Sequence, residues 1–235
     1  MSVIVLANPK GGAGKTTAAL LLASELGARG ARVAVIDADP EQWISQWGAL
    51  PGRPAGVTIQ GGATEDSIVD LIEAAAAEAA FVVVDLEGTA SLMVAHAIAM
   101  ADLVIIPTQG ASMDARGAAK TIRLIRNQAR PARRDIPHAV LLTRTSAAIA
   151  SRALKNVRDQ LGQAGIAIFD TQIVERAAYR DILDYGCTLA GLDPALVSNL
   201  DKAVLNARAF AGEVVARLQT AATAAAAGPA RPQVA

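Results

Sequence analysis

Residues 8–17 of the chain read NPKGGAGKTT, and this glycine-rich stretch guides the interpretation of everything around it. It follows a short apolar run at residues 3–8 and leads into residues 15–29, a stretch of helical length. Glycines allow the backbone to curl so that successive N–H groups face one anion, and the N-terminus of the next helix adds a favourable dipole. The pattern predicts a strand, a phosphate-binding loop and a helix in succession.

The side chains of the loop have separate predicted roles toward a nucleoside triphosphate. Lys15 supplies a positive charge for the β- and γ-phosphates, the Thr16 hydroxyl ligates magnesium, and Thr17 donates to the α-phosphate. ATP and Mg²⁺ are therefore the expected ligands. The loop residues predicted to bind the nucleotide are Gly11, Gly12, Ala13, Gly14, Lys15, Thr16 and Thr17.

The spacing of the loop is not that of an ordinary P-loop. Pro9 occupies the place of the usual first glycine, and an additional lysine stands at position 10. The string resembles the KGGxGKT[TS] loop of the ParA/MinD family of ATPases. The resemblance implies a slow, magnesium-dependent ATP hydrolase that forms a homodimer with ATP. It also implies that Lys10 reaches the phosphates of the partner subunit, so that Lys10 and Lys15 are both catalytic.

Apolar runs alternate with alanine-rich segments along the rest of the chain. Short continuous apolar runs are typical of strands buried on both faces, and their alternation with helices predicts a doubly wound, mostly parallel α/β sheet flanked by helices. Strands are expected at residues 3–8, 32–37, 81–85, 103–107 and 139–143. Helices are expected at residues 15–29, 67–79, 91–100, 115–129, 151–164 and 194–219.

The domain prediction follows from that pattern. Residues 1–219 are expected to form a single ATPase domain, since no linker or internal repeat interrupts them. Residues 220–235 are an Ala/Pro-rich tail, expected to be disordered from residue 228 onward.

Acidic residues stand at the ends of two predicted strands, where ligands bind in this architecture. The second strand ends in Asp37-Ala38-Asp39-Pro40, and the third in Asp85, followed by Gly88. The resemblance implies that Asp39 positions the attacking water and is catalytic. It implies that Asp37 and Asp85 join Thr16 on the metal side and that Gly88 senses the γ-phosphate. Similarity to the base-covering loops of short partition ATPases further places Arg144, Thr171 and Arg176 beside the nucleotide base.

A basic stripe stands out because the chain has 22 Lys+Arg and 22 Asp+Glu and so no net charge. Seven basic residues and no acidic one lie between residues 116 and 134, mostly three or four apart, as on one side of a helix. The stripe predicts non-specific binding to DNA phosphates, although an ordinary solvated face is the alternative. The predicted DNA-binding residues are Arg116, Lys120, Arg123, Arg126 and Arg130.

These features favour a ParA-type switch that holds the nucleoid and segregates or positions a plasmid, a chromosome region or a protein cargo. A ParB-like activating protein attached to the cargo is the expected partner. The apolar run at residues 1–6 lacks the features of a signal peptide, and one cysteine suits a reducing compartment, so a cytoplasmic, nucleoid-associated protein is expected.

Three other functions share this P-loop. A membrane-cycling ATPase of the MinD kind is the principal alternative, but no lysine follows Lys202, so no stable membrane anchor is expected. Cys187 alone cannot build the paired-cysteine site of an iron–sulfur carrier. A ligase acting on a small carboxylate stays open, although no second-substrate motif is recognisable.

Overall fold

One seven-stranded sheet organises the chain, in the order β3-β2-β4-β1-β5-β6-β7. The computed structural model describes residues 1–88, 91–110, 112–146 and 152–227. Within these ranges every strand pairing is parallel. The strands are β1 (Ser2–Leu6), β2 (Val33–Ala38), β3 (Val57–Gly61), β4 (Phe81–Leu86), β5 (Leu103–Thr108), β6 (His138–Thr145) and β7 (Ile173–Val174).

Eight helices and one 3₁₀ turn (Leu189–Gly191) are found in the same ranges and cover both faces of the sheet. The helices are α1 (Lys15–Ala28), α2 (Trp43–Gly48), α3 (Ile68–Glu78), α4 (Leu92–Met100), α5 (Ser112–Ala132), α6 (Arg152–Gln163), α7 (Ala178–Asp184) and α8 (Leu200–Ala227). One apolar core joins α1, α2, α7 and α8 to the sheet, and a second joins α3, α4, α5 and α6 to the opposite face. The predicted doubly wound α/β fold is confirmed.

The register of the central strands brings the predicted site together. Leu6, at the end of β1, is paired with Asp85 of β4 and with Ile105 of β5. Asp85 is in turn paired with Asp37 of β2. Since neighbouring strands lie about 4.8 Å apart, the loop that follows β1 and the two aspartates occupy one edge of the sheet.

The final helix differs from its prediction at both ends. Residues 194–219 were expected to be helical, but α8 begins at Leu200, after Asn199 adopts a left-handed backbone with φ of 54°. The helix then continues to Ala227, because alanine has the highest helix propensity of all residues. The segment 228–235, expected to be disordered, lies outside the described residues, and the division into domain and tail stays a prediction.

Helix α5 extends beyond both ends of the helix expected at residues 115–129, since it runs from Ser112 to Ala132. The helix includes Pro131 in its last turn and ends at Ala132. The next residue, Arg133, has a left-handed backbone with a φ of 48°, so the helix ends at Ala132. A proline so near the C-terminus removes one hydrogen bond and leaves the preceding turns intact.

Helix α8 is an integral part of the domain, and replacing Phe210 tests this. Phe210 is fully buried and its ring lies 5.9 Å from that of Phe169. We expect Phe210→Ala to lower the free energy of unfolding by about 3–5 kcal/mol because it leaves a cavity. Leu205→Ala, on the exposed side of α8, should change it by less than about 0.5 kcal/mol. Urea unfolding measures both, and equal effects would contradict the packing of α8.

Candidate nucleotide-binding site

The loop between β1 and α1 has the backbone that its glycines permit. Gly12 has a φ of 72° and Gly14 a φ of 93°, both in the left-handed region that side chains disfavour. Gly14 directly precedes α1, and a Cβ there would lie 3.3 Å from Cβ of Thr143. Conformation and space therefore both require glycine at this position.

Two side chains from neighbouring strand ends hold the carbonyls of the loop. Gln109 Nε2 donates to the carbonyl oxygen of Gly12 at 2.7 Å, and Thr143 Oγ1 donates to that of Ala13 at 2.7 Å. In a trans peptide the C=O and the N–H point in opposite directions. Anchored carbonyls therefore leave the following N–H groups directed away from the anchors, as phosphate binding requires.

Lys15 begins α1 and is only 6 % exposed. Burial lowers the pKa of its ammonium from the ordinary value, while the carboxylates of Asp85, Asp39 and Glu87 act in the opposite direction. The charge of Lys15 is thus held in a region of low dielectric, where its attraction to a phosphate is stronger than in water.

Asp85 and Asp37 are buried side by side on adjacent strands. Burial raises the pKa of Asp85 to about 7; the nearby Thr16 hydroxyl and Lys15 lower it, and the other aspartates raise it. Neither carboxylate oxygen of Asp85 has a partner in hydrogen-bonding geometry. Asp37 Oδ2 accepts the N–H of Ser45 at 2.7 Å, whereas its Oδ1 is buried without a partner.

These unsatisfied oxygens fit a hydrated magnesium ion. Among the described residues no group of three or more His, Cys, Asp and Glu is arranged to hold a metal directly. Mg²⁺ commonly keeps several waters and takes few protein ligands beside the phosphates of its nucleotide. Thr16 would ligate it, and Asp85 and Asp37 would accept hydrogen bonds from its waters. A cation there would also favour the ionised form of Asp85.

Gly88 lies against the loop, and the carboxylate of Asp39 is near enough to Lys15 to act on its pKa. Asp39 is half-buried, and its Oδ1 accepts the N–H of Glu41 at 3.0 Å. A Cβ on Gly88 would lie 3.3 Å from the nitrogen of Gly11. The segment after β4 therefore contacts the phosphate loop through its backbone. The water-positioning role of Asp39 and the γ-phosphate role of Gly88 stay predictions.

A cavity of about 280 Å³ adjoins the loop at the place where the base was expected. Gly14 of the loop and Thr17 of α1 line it together with Arg144 and Arg176. Arg144 has a φ of 50°, which turns the chain at the end of β6. Two of the three predicted base-binding residues therefore line this cavity, and their contact with a base stays a prediction.

Thr171, the third predicted base-binding residue, does not line this cavity. Its N–H donates to Glu213 Oε2 of α8 at 2.8 Å, which ties it to a different part of the molecule. Tyr179, which sequence reasoning did not assign, lines the cavity instead. Burial raises the pKa of its hydroxyl to about 12, so Tyr179 is neutral at physiological pH. The resemblance to a base-covering loop extended over residues 171–179 and so included Tyr179, but it gave this residue no role of its own.

The predicted DNA-binding residues lie on one exposed side of α5. Ile122 and Ile125, on the other side of this helix, are buried in the core. The exposed basic residues are Arg116, Lys120, Arg123, Arg126 and Arg130. Arg134 is different, since it donates to the carbonyls of Ala99 and Ala101 at 2.6 and 2.9 Å and so ties the end of α5 to α4.

Comparison with known proteins identifies relatives over most of the chain. The family model described as VirC1 protein matches residues 1–195. Protein ParA of Rhizobium radiobacter is 37% identical over 221 residues, which is 94% of this chain and 99% of the relative. The maintenance of carboxysome distribution protein A of Halothiobacillus neapolitanus is 27% identical over 192 residues, 79% of this chain and 85% of the relative.

Solved structures of related ATPases have the same fold. An aspartate-to-alanine variant of Cyanothece McdA in complex with ATP superposes with a TM-score of 0.72, at 16% identity, over 95% of this chain and 96% of the other. At this identity the likeness concerns the fold.

Replacing Lys15 tests the phosphate site. We expect Lys15→Ala to weaken ATP binding about tenfold to a hundredfold, because a charge-assisted contact to the phosphates is lost. Fluorescence titration with a labelled ATP measures the affinity. Lys202→Ala, which removes an exposed lysine from α8, should leave it unchanged. Equal affinity in the Lys15 variant and the wild type would show that nucleotide binds elsewhere.

Proposed function

The chain belongs to the VirC1 protein family, among the ParA/MinD-type P-loop ATPases, and on that premise we propose that it is a ParA-type positioning ATPase. The observation that carries the proposal is the phosphate loop, in which Lys10 and Lys15 are separated by three glycines and one alanine. Lys15 is buried at the start of α1, where it serves the nucleotide of its own subunit. Lys10 lies earlier in the loop and is half-buried, where it serves the nucleotide of a second copy.

ATP in this proposal acts as the contact between two subunits. Each nucleotide is bound by the loop of one subunit and by Lys10 of the other, so dimerisation depends on the γ-phosphate. Asp39 then positions the water for hydrolysis, and Mg²⁺ supplies charge stabilisation of the phosphates. The described residues of one subunit do not form a complete catalytic site by themselves. Hydrolysis is therefore slow until a second copy, and then an activating partner, is bound.

The exposed basic face of α5 is the proposed contact to DNA. Near its C-terminal end a cavity of about 480 Å³ is lined by four arginines and one acidic residue, namely Arg126, Arg130, Arg133, Arg134 and Asp135. Arginine forks suit phosphate oxygens, and such contacts bind DNA without reading its sequence. A dimer doubles the face, so ATP raises DNA affinity through avidity.

The relatives support segregation or positioning of a cargo as the biological role. One relative is named Protein ParA, and another is named for the maintenance of carboxysome distribution. We propose that this protein likewise moves a plasmid, a chromosome region or a protein assembly over the nucleoid. A ParB-like protein bound to that cargo would stimulate hydrolysis and release the switch from DNA.

Helix α8 bears on the membrane-cycling alternative. Among the described residues no helix combines the length and the apolarity that a membrane crossing requires. The last turns of α8, after Leu218, contain only Gln, Thr and Ala, which give neither the bulky apolar side chains nor the lysines of an amphipathic membrane helix. Sedimentation with anionic vesicles in the presence of ATP distinguishes the two functions. Co-sedimentation of the protein with the vesicles would favour the MinD-like, membrane-cycling function.

Removing Lys10 tests the dimer switch. We expect Lys10→Ala to bind ATP with an affinity within about threefold of the wild type but to lose ATP-dependent dimerisation and hydrolysis, because the contact to the partner's nucleotide is gone. Sedimentation velocity with Mg-ATP and a phosphate-release assay measure the two losses. Normal dimerisation of this variant would refute the proposed role of Lys10.

Neutralising three arginines tests the DNA face. We expect the triple variant Arg123→Gln, Arg126→Gln and Arg130→Gln to bind DNA more weakly and to reduce the slope of log affinity against log salt by about 3. A control variant, Arg32→Gln with Lys202→Gln, removes two exposed charges elsewhere and should keep the slope. Fluorescence anisotropy with duplex DNA measures both; an unchanged slope in the triple variant would make α5 an ordinary solvated face.

A further inference from the structure

The buried side chain of Asn8 connects the phosphate loop to the neighbouring strand. Asn8 is 3 % exposed. Its Nδ2 donates to the carbonyl oxygen of Pro107, at the end of β5, at 2.6 Å. Its Oδ1 accepts the N–H of Lys10 at 2.9 Å. One side chain therefore joins the backbone of Lys10 to the sheet.

The two partners of Asn8 demand an amide. The carbonyl of Pro107 requires a donor, and the N–H of Lys10 requires an acceptor, and a primary amide presents one of each in this arrangement. A carboxylate of the same shape would place an oxygen against the carbonyl of Pro107 at hydrogen-bond distance. Because the group is buried, that unfavourable contact would not be relieved by water.

Gly117 of helix α5 lies close to this amide. A Cβ on Gly117 would lie 2.9 Å from Oδ1 of Asn8, the same atom that accepts from Lys10. Glycine is unfavourable in the interior of a helix relative to alanine, so its presence on α5 fits a steric demand of the neighbouring amide. The backbone of α5 at Gly117 thus forms one wall of the place that holds Asn8.

We propose that Asn8 is a positioning residue: it fixes the backbone at Lys10 so that this lysine is directed to the nucleotide of a second copy, with Gly117 providing the space. The proposal rests on the proposed function of Lys10 in the ATP-bound dimer. The rest of the loop is held independently, by Gln109 at Gly12 and by Thr143 at Ala13. Disturbing Asn8 therefore alters dimerisation while leaving binding by a single subunit in place.

Variants of the full chain at positions 8, 117 and 212 test the inference. Gly117→Ala pushes on Asn8, and Asn8→Asp is nearly isosteric but lacks the donor. Gly212→Ala is the matched control, because Gly212 is also a half-buried helical glycine and a Cβ there meets no atom within 4 Å. ADP affinity is measured by fluorescence titration, and self-association by sedimentation velocity in Mg-ATP.

We expect Gly117→Ala and Asn8→Asp each to weaken ATP-dependent self-association about tenfold, a coupling typical of linked sites. ADP affinity should stay within about twofold in Gly117→Ala, which adds no charge near the phosphates. Gly212→Ala should match the wild type in both measurements. The double variant Asn8→Ala with Gly117→Ala should associate no more weakly than Asn8→Ala alone, since Gly117 acts through Asn8. If Gly117→Ala fails to fold by circular dichroism, Asn8→Ala carries the test, because it removes both hydrogen bonds of Asn8 without adding a charge.

Wild-type self-association of Gly117→Ala or of Asn8→Asp would overturn the positioning role of Asn8. So would a parallel loss of ADP affinity in Gly117→Ala or Asn8→Ala, which would mean that Asn8 supports the loop as a whole. Lys10→Ala separates this failure from that of the proposed function. If Lys10→Ala dimerises normally, the dimer switch itself is refuted; if it does not dimerise but Gly117→Ala and Asn8→Asp do, only the role of Asn8 is refuted.

Discussion

The parallel register between β1, β4 and β2 is the constraint on which the site depends. It places the end of β1 beside Asp85 and Asp85 beside Asp37, at the edge where the phosphate loop begins. Side chains alternate between the two faces of a strand, so a slip of one residue would turn Asp85 toward the opposite face. The two apolar cores, which pack against alternate residues of the same strands, make such a slip costly. Packing far from the ligand therefore determines the geometry of the charged groups.

Lys15 and Asp85 are buried, in surroundings where an isolated charge is unfavourable. Burial lowers the pKa of Lys15 and raises that of Asp85, and each group stabilises the charged form of the other. Buried charges of this kind destabilise a fold unless they are paired or bind a ligand. A magnesium–triphosphate complex would supply negative charge to Lys15 and a cation to Asp85. Burial of these charges costs folding free energy, and the same burial would strengthen their attraction to such a ligand.

The fold could be predicted where local pattern and burial agree. β1, β2, β4, β5 and β6 are continuous apolar runs, and each was expected within two residues of its observed ends. β3 and β7 were missed. β3 alternates buried and exposed residues at the edge of the sheet, and β7 has only two residues, so both depend on a neighbouring strand for their definition. α2 and α7 were missed because six or seven residues are too few to show a helical period.

The amino-acid sequence by itself determined the phosphate loop, the acidic strand ends and the basic side of α5, because each consists of residues close together in the chain. Only the tertiary structure decided which distant groups complete them. Gln109 and Thr143 reach the loop from other strand ends, and Tyr179 rather than Thr171 lines the cavity beside it. The contact of Gly117 with Asn8 is of the same kind. Local spacing specifies a motif, whereas close packing between segments far apart in sequence specifies its partners, and no short-range pattern encodes that packing.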